Sequence, residues 1–233
     1  MELILIPGFW LQASSWDGVR PLLEAAGHRV VALTLPGLES RESERQGIRL
    51  RDHVQAVVAA VDQAQDPVVL VGHSGGGAIA HAAADQRPER VARVVYVDSG
   101  PLGDGQAINQ ELTALSGEIP LPDWSEFGEE DLRDLDQELR EAFRALAVPQ
   151  PGRVAQDLQV LRDPRRYQLP ITIIACEYSS VQLREWIAQG HPYVAELALV
   201  RDVEYIDLPT GHWPQFTKPM ELGQAILAAV DRG

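Results

Sequence analysis

The stretch Val68-Val-Leu-Val-Gly-His-Ser-Gly-Gly-Gly77 runs an apolar strand into a glycine-framed serine, followed by the helix-forming run Ala78-Ile-Ala-His-Ala-Ala-Ala-Asp85. This context constrains the chain more than any other. A serine on a tight strand-to-helix turn must adopt an uncommon backbone conformation, and glycine two positions before and two after lets the neighbouring elements pass. The hydroxyl of Ser74 then stands at the C-terminal edge of a sheet. The first N–H groups of the following helix lack intrahelical partners and face developing negative charge there. A phosphate cradle is the weaker reading, because neither G-x-x-x-x-G-K-[ST] nor G-x-G-x-x-G is present.

The rest of the chain surrounds this turn with short apolar segments alternating with helical patterns, which predicts an α/β fold with a mostly parallel, doubly wound sheet. Six strands are expected at Leu3–Ile6, Arg29–Leu33, Val68–Gly72, Val91–Asp98, Ile171–Cys176 and Val203–Leu208. Most lack clear alternation, as expected where helices cover both faces. Helices are expected at Ser15–Ala26, Leu50–Gln63, Gly75–Gln86, Val181–Gln189 and Pro219–Asp231. Between about Pro101 and Gln168 the alternation stops. That interval has no convincing strand, has proline joints at Pro120-Leu-Pro122 and Pro149-Gln-Pro151, and contains amphipathic stretches such as Glu130–Ala147. It is too long for an ordinary loop. It reads as a helical lid (101–168) inserted after the fourth strand into a core built from 1–100 and 169–233.

Composition removes several classes of partner. The 233 residues suffice for one domain with a large core, and no apolar run reaches the length of a bilayer span. A formal net charge of −14, from 20 basic and 34 acidic residues, disfavours nucleic acid and anionic membranes. Much of the acidity crowds between Glu118 and Glu141 and reads as a solvated helix face. Met1 leads directly into a strand with no signal segment, so a cytoplasmic location is expected. Cys176 is the only cysteine, which rules out an intrachain disulfide or a cysteine-built zinc site and reads as a small buried hydrophobe. Neither a metal nor an organic cofactor is indicated.

A serine needs a base to act as a nucleophile at neutral pH, and the base needs an orienting acid. Of the six histidines, His212 stands apart: it follows the last strand in Leu208-Pro-Thr-Gly-His-Trp-Pro214, on a loop expected at the same sheet edge as Ser74. His73 reads as a structural neighbour of the turn.

With Ser74 and His212 so placed, the chain resembles the α/β-hydrolase superfamily over essentially its whole length. The matching pieces are Ile6-Pro-Gly-Phe-Trp10, Ala32-Leu-Thr-Leu-Pro-Gly37, Gly72–Gly76, Pro170–Cys176 and Gly211-His-Trp-Pro214. The opening strand is similar to that of the compact plant methylesterase and hydroxynitrile lyase group, which implies six parallel strands. The resemblance implies an oxyanion hole from the N–H groups of Phe9 and Gly75, with Pro7 standing where the family has histidine. It leaves the acid open. Where relatives carry aspartate about three residues beyond the fifth strand, this chain has Tyr178-Ser-Ser180; Asp98, after the fourth strand, matches other branches, and Glu177 is the second choice. Trp10, Trp124, Phe127, Trp186 and Trp213 are candidates for an apolar substrate pocket.

These implications amount to a serine hydrolase acting on a small carboxylic ester. Haloalkane dehalogenases and epoxide hydrolases use aspartate at the elbow, and plant hydroxynitrile lyases rely on a lysine where Trp213 stands. A peptidase, a perhydrolase and a non-catalytic small-molecule receptor of the same fold remain as alternatives, because fold alone does not decide among them. The oligomeric state is open.

Overall fold

The computed structural model describes residues 1–231. Six strands form one sheet: β1 (Glu2–Ile6), β2 (Arg29–Ala32), β3 (Val68–His73), β4 (Val91–Val97), and, after the two short strands β5 (Glu118–Ile119) and β6 (Gln150–Pro151), β7 (Ile171–Ala175) and β8 (Val203–Asp207). The order across the sheet is β2-β1-β3-β4-β7-β8. Every pairing in it is parallel. Each expected strand is present to within a residue at either end.

The helices are α1 (Arg20–Ala25), α2 (Leu50–Gln63), α3 (Gly75–Gln86), α4 (Gln137–Leu146), α5 (Gly152–Gln156), α6 (Ser180–Gln189), α7 (Pro214–Thr217) and α8 (Pro219–Val230). Strand parity sorts the core into two layers, since successive side chains point to opposite faces. Leu3, Leu5, Val69, Val71, Val95 and Val97 pack with Leu23 of α1 and Leu222, Ile226 and Ala229 of α8. Ile4, Ile6, Leu70, Val94 and Tyr96 pack with Val54, Val57 and Val61 of α2 and Ile79 and Ala83 of α3. Burial on both faces explains the continuous apolar strands. Cys176 lies in the first layer at 3% exposure.

Three expectations need correction. The first helix is split into a 3-10 turn over Ala13–Trp16 and α1, with Pro21 in the first turn of α1, where a missing N–H costs nothing. Glu130–Ala147 is helical only over α4, because the Asp136 carboxylate accepts the Leu139 N–H at 2.9 Å and caps the helix there. The interval 101–168 also contains strands: β5 and β6 pair antiparallel, Glu118 with Pro151 and Ile119 with Gln150. In the acidic run most carboxylates are exposed, as expected of a solvated surface, whereas Asp131 is half-buried. Among the described residues, no helix is long and apolar enough to cross a membrane.

The chain leaves β1 toward β2 on one side and reaches β3 on the other. Strand order therefore reverses beside β1, and crevices in open parallel sheets form at the C-terminal ends of strands flanking such a point.

Candidate active site

Ser74 lies at that edge, between β3 and α3, with φ 52° and ψ −128°, outside the regions an ordinary side chain prefers. The flanking glycines explain how the turn closes. A Cβ on Gly72 would meet the Gly76 carbonyl oxygen at 2.6 Å, and one on Gly76 would meet the Pro7 carbonyl oxygen at 2.5 Å. The Ser74 N–H donates to Val97 O (3.1 Å), and its carbonyl accepts from the Ser99 hydroxyl (2.7 Å) and the Gly77 N–H (2.8 Å). The strained conformation is thus held from three sides.

His212 reaches the same edge from the loop after β8. Its Nε2 is 2.8 Å from Ser74 Oγ and its Nδ1 is 2.7 Å from Asp98 Oδ2. Asp98 follows β4 at φ 43°. Its Oδ1 accepts the N–H groups of Cys176 (3.1 Å) and Glu177 (3.0 Å), so the end of β7 aims the carboxylate. Burial opposes the charge on Asp98, but His212 and the Glu177 N–H outweigh it and hold the carboxyl below its ordinary range. The imidazole is affected in the opposite sense. Burial works against its protonation, yet the hydrogen bond to Asp98 and the negative charges of Asp98 and Glu177 prevail and raise it well above 6.5.

Glu177 is the second carboxyl at this imidazole. Its Oε1 lies 2.9 Å from Nδ1 but makes no hydrogen bond, because the ring N–H is directed at Asp98. Burial and the nearby carboxyls of Asp98 and Asp131 raise Glu177 to about 7 against the pull of His212. Nδ1 and the two carboxylates, all within 4.8 Å, are the described cluster with the donor chemistry for a cation. A cation there would compete with the proton that joins His212 to Asp98.

Two further supports hold His212. His73 Nε2–H donates to the His212 carbonyl at 2.7 Å. The His212 N–H donates to Asp131 O at 2.8 Å and the Gly211 N–H to Arg133 O at 3.1 Å, so the segment before α4 grips the histidine loop through main chain alone.

Phe9 lies against Ser74's neighbour, its ring filling the space a Cβ on Gly75 would need. The Gly75 N–H opens α3 and has no carbonyl one turn back. The Phe9 N–H has no protein acceptor among the described residues. Trp10, at φ 63°, is tied on three sides: its indole N–H donates to Ile119 O (3.1 Å), its backbone N–H to Gln150 Oε1 (3.4 Å), and its carbonyl accepts from the Val148 N–H (2.9 Å). The short β5–β6 ladder therefore anchors the loop that carries Phe9.

A cavity of about 910 Å³ opens onto Ser74, Gly75, Phe9 and His212. Trp10, Phe127 and Trp213 line it. Trp124 and Trp186 do not: Trp124 packs behind Phe127 (ring centroids 5.6 Å) and Trp213 (5.8 Å), and Trp186 packs behind Tyr178 (4.9 Å). Tyr178 and Tyr193 line the wall instead, along with the stretch from Gly105 to Leu112. Tyr178 was within reach of sequence reasoning, since it immediately follows Glu177 at the end of a strand. Tyr193 carried no such signal.

A model described as the Alpha/beta hydrolase family matches residues 3–225. Methylesterase 8 of Arabidopsis thaliana is 27% identical, with the alignment covering 99% of this chain and 90% of the relative. A pyrethroid hydrolase of Sphingobium wenxiniae is 33% identical over 50% of this chain and 41% of its own. Among solved structures, an extracellular alpha/beta-hydrolase from a Paenibacillus species superimposes with a TM-score of 0.78 at 21% identity, covering 98% of both chains. With a family match over nearly all its length and a six-stranded parallel sheet bearing a serine elbow, the chain belongs to the α/β-hydrolase family.

Proposed function

We propose that the protein hydrolyses a small carboxylic ester through an acyl-enzyme on Ser74. The observation that carries this reading is the single imidazole of His212, bonded to Ser74 Oγ at 2.8 Å through one nitrogen and to Asp98 at 2.7 Å through the other. With the proton on Nδ1 directed at Asp98, Nε2 is free to accept the serine proton. Ser74 Oγ attacks the ester carbonyl carbon as His212 takes that proton, and the oxyanion forms against the N–H groups of Phe9 and Gly75. Each donor contributes about 3 kcal/mol to that step. Collapse expels the alcohol, which receives the proton from His212. Water then attacks the acyl carbon with His212 again as base, releasing the acid and restoring Ser74. Asp98 holds the tautomer and offsets the imidazolium charge without taking the proton.

Residues 101–168 act as a cap in this reading. Support comes from their share of the cavity wall, which includes Ile108, Leu112 and Phe127, and from the main-chain bonds of Asp131 and Arg133 to the histidine loop. The relatives named for methylesters and pyrethroids favour ester substrates over the peptidase and perhydrolase alternatives.

Hydrolysis of p-nitrophenyl butyrate and labelling by a fluorophosphonate probe test the reading together. Both should be lost in Ser74→Ala with folding intact. Wild-type rates in that variant would refute the nucleophile, and a wild-type serine inert to the probe would mark a receptor of the same fold.

A further inference from the structure

The groups lining the cavity are charged on one side only. Asp98, Glu111, Asp131 and Glu177 face it, and among the described residues no lysine or arginine does. Among the described residues His212 is the one basic group in the lining, and its charge is committed to Asp98 and Glu177. The nearby Lys218 is turned outward, donating to Pro209 O at 2.7 Å and pairing with Asp134 at 3.6 Å.

The wall beside these carboxylates is aromatic. Tyr178 and Tyr193 stand edge to face with centroids 6.4 Å apart, both backed by Trp186. Tyr193 is 59% exposed, and the cavity reaches it. Burial first, and then the negative charges of Glu177, Asp131, Asp98 and Glu130, push the Tyr178 hydroxyl up from its ordinary value, so the ring faces the cavity neutral and electron-rich. Glu177 adds a carboxyl oxygen with no hydrogen-bond donor, on a side chain only 9% exposed. Neutral aromatic faces next to an excess of acidic side chains attract an organic ammonium through both the ring quadrupole and direct charge. The same arrangement repels a carboxylate.

We infer that the cavity selects its ester by charge, preferring substrates that carry an ammonium group and rejecting those that carry a second, anionic carboxylate. The inference rests on the esterase reading of Ser74 and names its substrate class. It also gives product release a direction, since hydrolysis creates a carboxylate inside a negatively charged chamber.

Two pairs of substrates and one binding measurement test it. Choline butyrate and 3,3-dimethylbutyl butyrate have nearly the same shape and differ by one positive charge. The expected kcat/KM ratio at low salt is about tenfold or more in favour of choline butyrate, narrowing as salt screens the field. p-Nitrophenyl hydrogen succinate should be cleaved about tenfold more slowly than p-nitrophenyl butyrate. Asp131→Asn and Glu111→Gln should each shrink the cation-to-neutral ratio, an internal comparison that partial misfolding leaves untouched. Equal rates for the choline and dimethylbutyl esters, or an unchanged ratio in both variants, would overturn the inference. Calorimetry of the two butyrates on Ser74→Ala separates the two readings. If no ester is turned over but the variant still binds the choline ester more tightly than its neutral isostere, the esterase reading fails and the charge selection stands.

Discussion

Glu177 Oε1 lies 2.9 Å from His212 Nδ1, the same nitrogen that bonds Asp98 at 2.7 Å. One imidazole N–H is therefore faced by two carboxyls from the ends of different strands, and only one of them receives it. If Asp98 orients the base, Glu177 is placed to take over when Asp98 cannot. Asp98→Asn should then lose less than the roughly 10⁴-fold expected for removing a lone orienting acid, and the double variant Asp98→Asn/Glu177→Gln should show the full loss. Rate constants for p-nitrophenyl butyrate across the four forms decide this. A single Asp98→Asn variant as slow as the double would show that Glu177 gives no support.

The two carboxyls also set the direction of the pH profile. Both raise the pKa of His212 above the ordinary imidazole value of 6.5, against the effect of burial. The base works only when neutral, so kcat/KM should increase with pH through a limb that lies above 6.5. Glu177→Gln removes one source of negative charge, makes the imidazolium less stable and moves that limb to lower pH. A limb that stays in place or moves upward in the variant would exclude coupling between the two groups.

This doubled acid marks where the sequence ceases to be informative. The strands, the elbow and the histidine loop could be read directly, because each depends on local pattern: buried runs such as Val68–Val71, glycines framing Ser74, and a turn after β8. The choice between Asp98 and Glu177 depends on the parallel register of β4 and β7, in which Val97 pairs with Ile174 and brings both acids to one place. Periodicity carries no record of that register. The β5–β6 ladder escaped for a different reason: each strand is two residues long, and Pro151 reads as a breaker. By sequence Asp131 reads as one more member of a solvated acidic run, and only the fold turns it toward the cavity while Glu129 and Glu130 stay exposed.

The contact between the segment before α4 and the histidine loop has its own test. Gly211 packs directly on the main chain of Asp131 and Arg133, where an added Cβ would meet Arg133 O at 2.6 Å and its N at 2.9 Å. Gly211→Ala should push the segment away, weakening the His212 N–H bond to Asp131 O. Overpacking of this kind costs about 1–3 kcal/mol, visible as a lower Tm, but on the proposed mechanism the larger effect should be on turnover, because the displaced loop carries His212. A kcat unchanged within error, at whatever stability cost, would show that the segment does not position His212.

Two buried histidines outside the proton-transfer step should make the fold acid-sensitive. His53 donates from Nε2 to Pro36 O at 2.8 Å, and His73 donates to His212 O at 2.7 Å. Burial is the main cause that holds both neutral, lowering His53 to about 4 and His73, with His212 nearby, to about 3. In the unfolded chain each would bind a proton near 6.5. Below that pH the unfolded state therefore takes up more protons than the folded one, and stability falls as pH falls from about 6.5 toward the folded values of about 4 and 3. The slope is up to about 1.4 kcal/mol per pH unit for each histidine. Thermal unfolding followed from pH 7.5 to 4 should show this decline. His53→Gln keeps an N–H in reach of Pro36 O but does not titrate, so its Tm should decline less steeply over the same interval. A variant whose Tm falls in parallel with the wild type would place the acid sensitivity elsewhere in the protein.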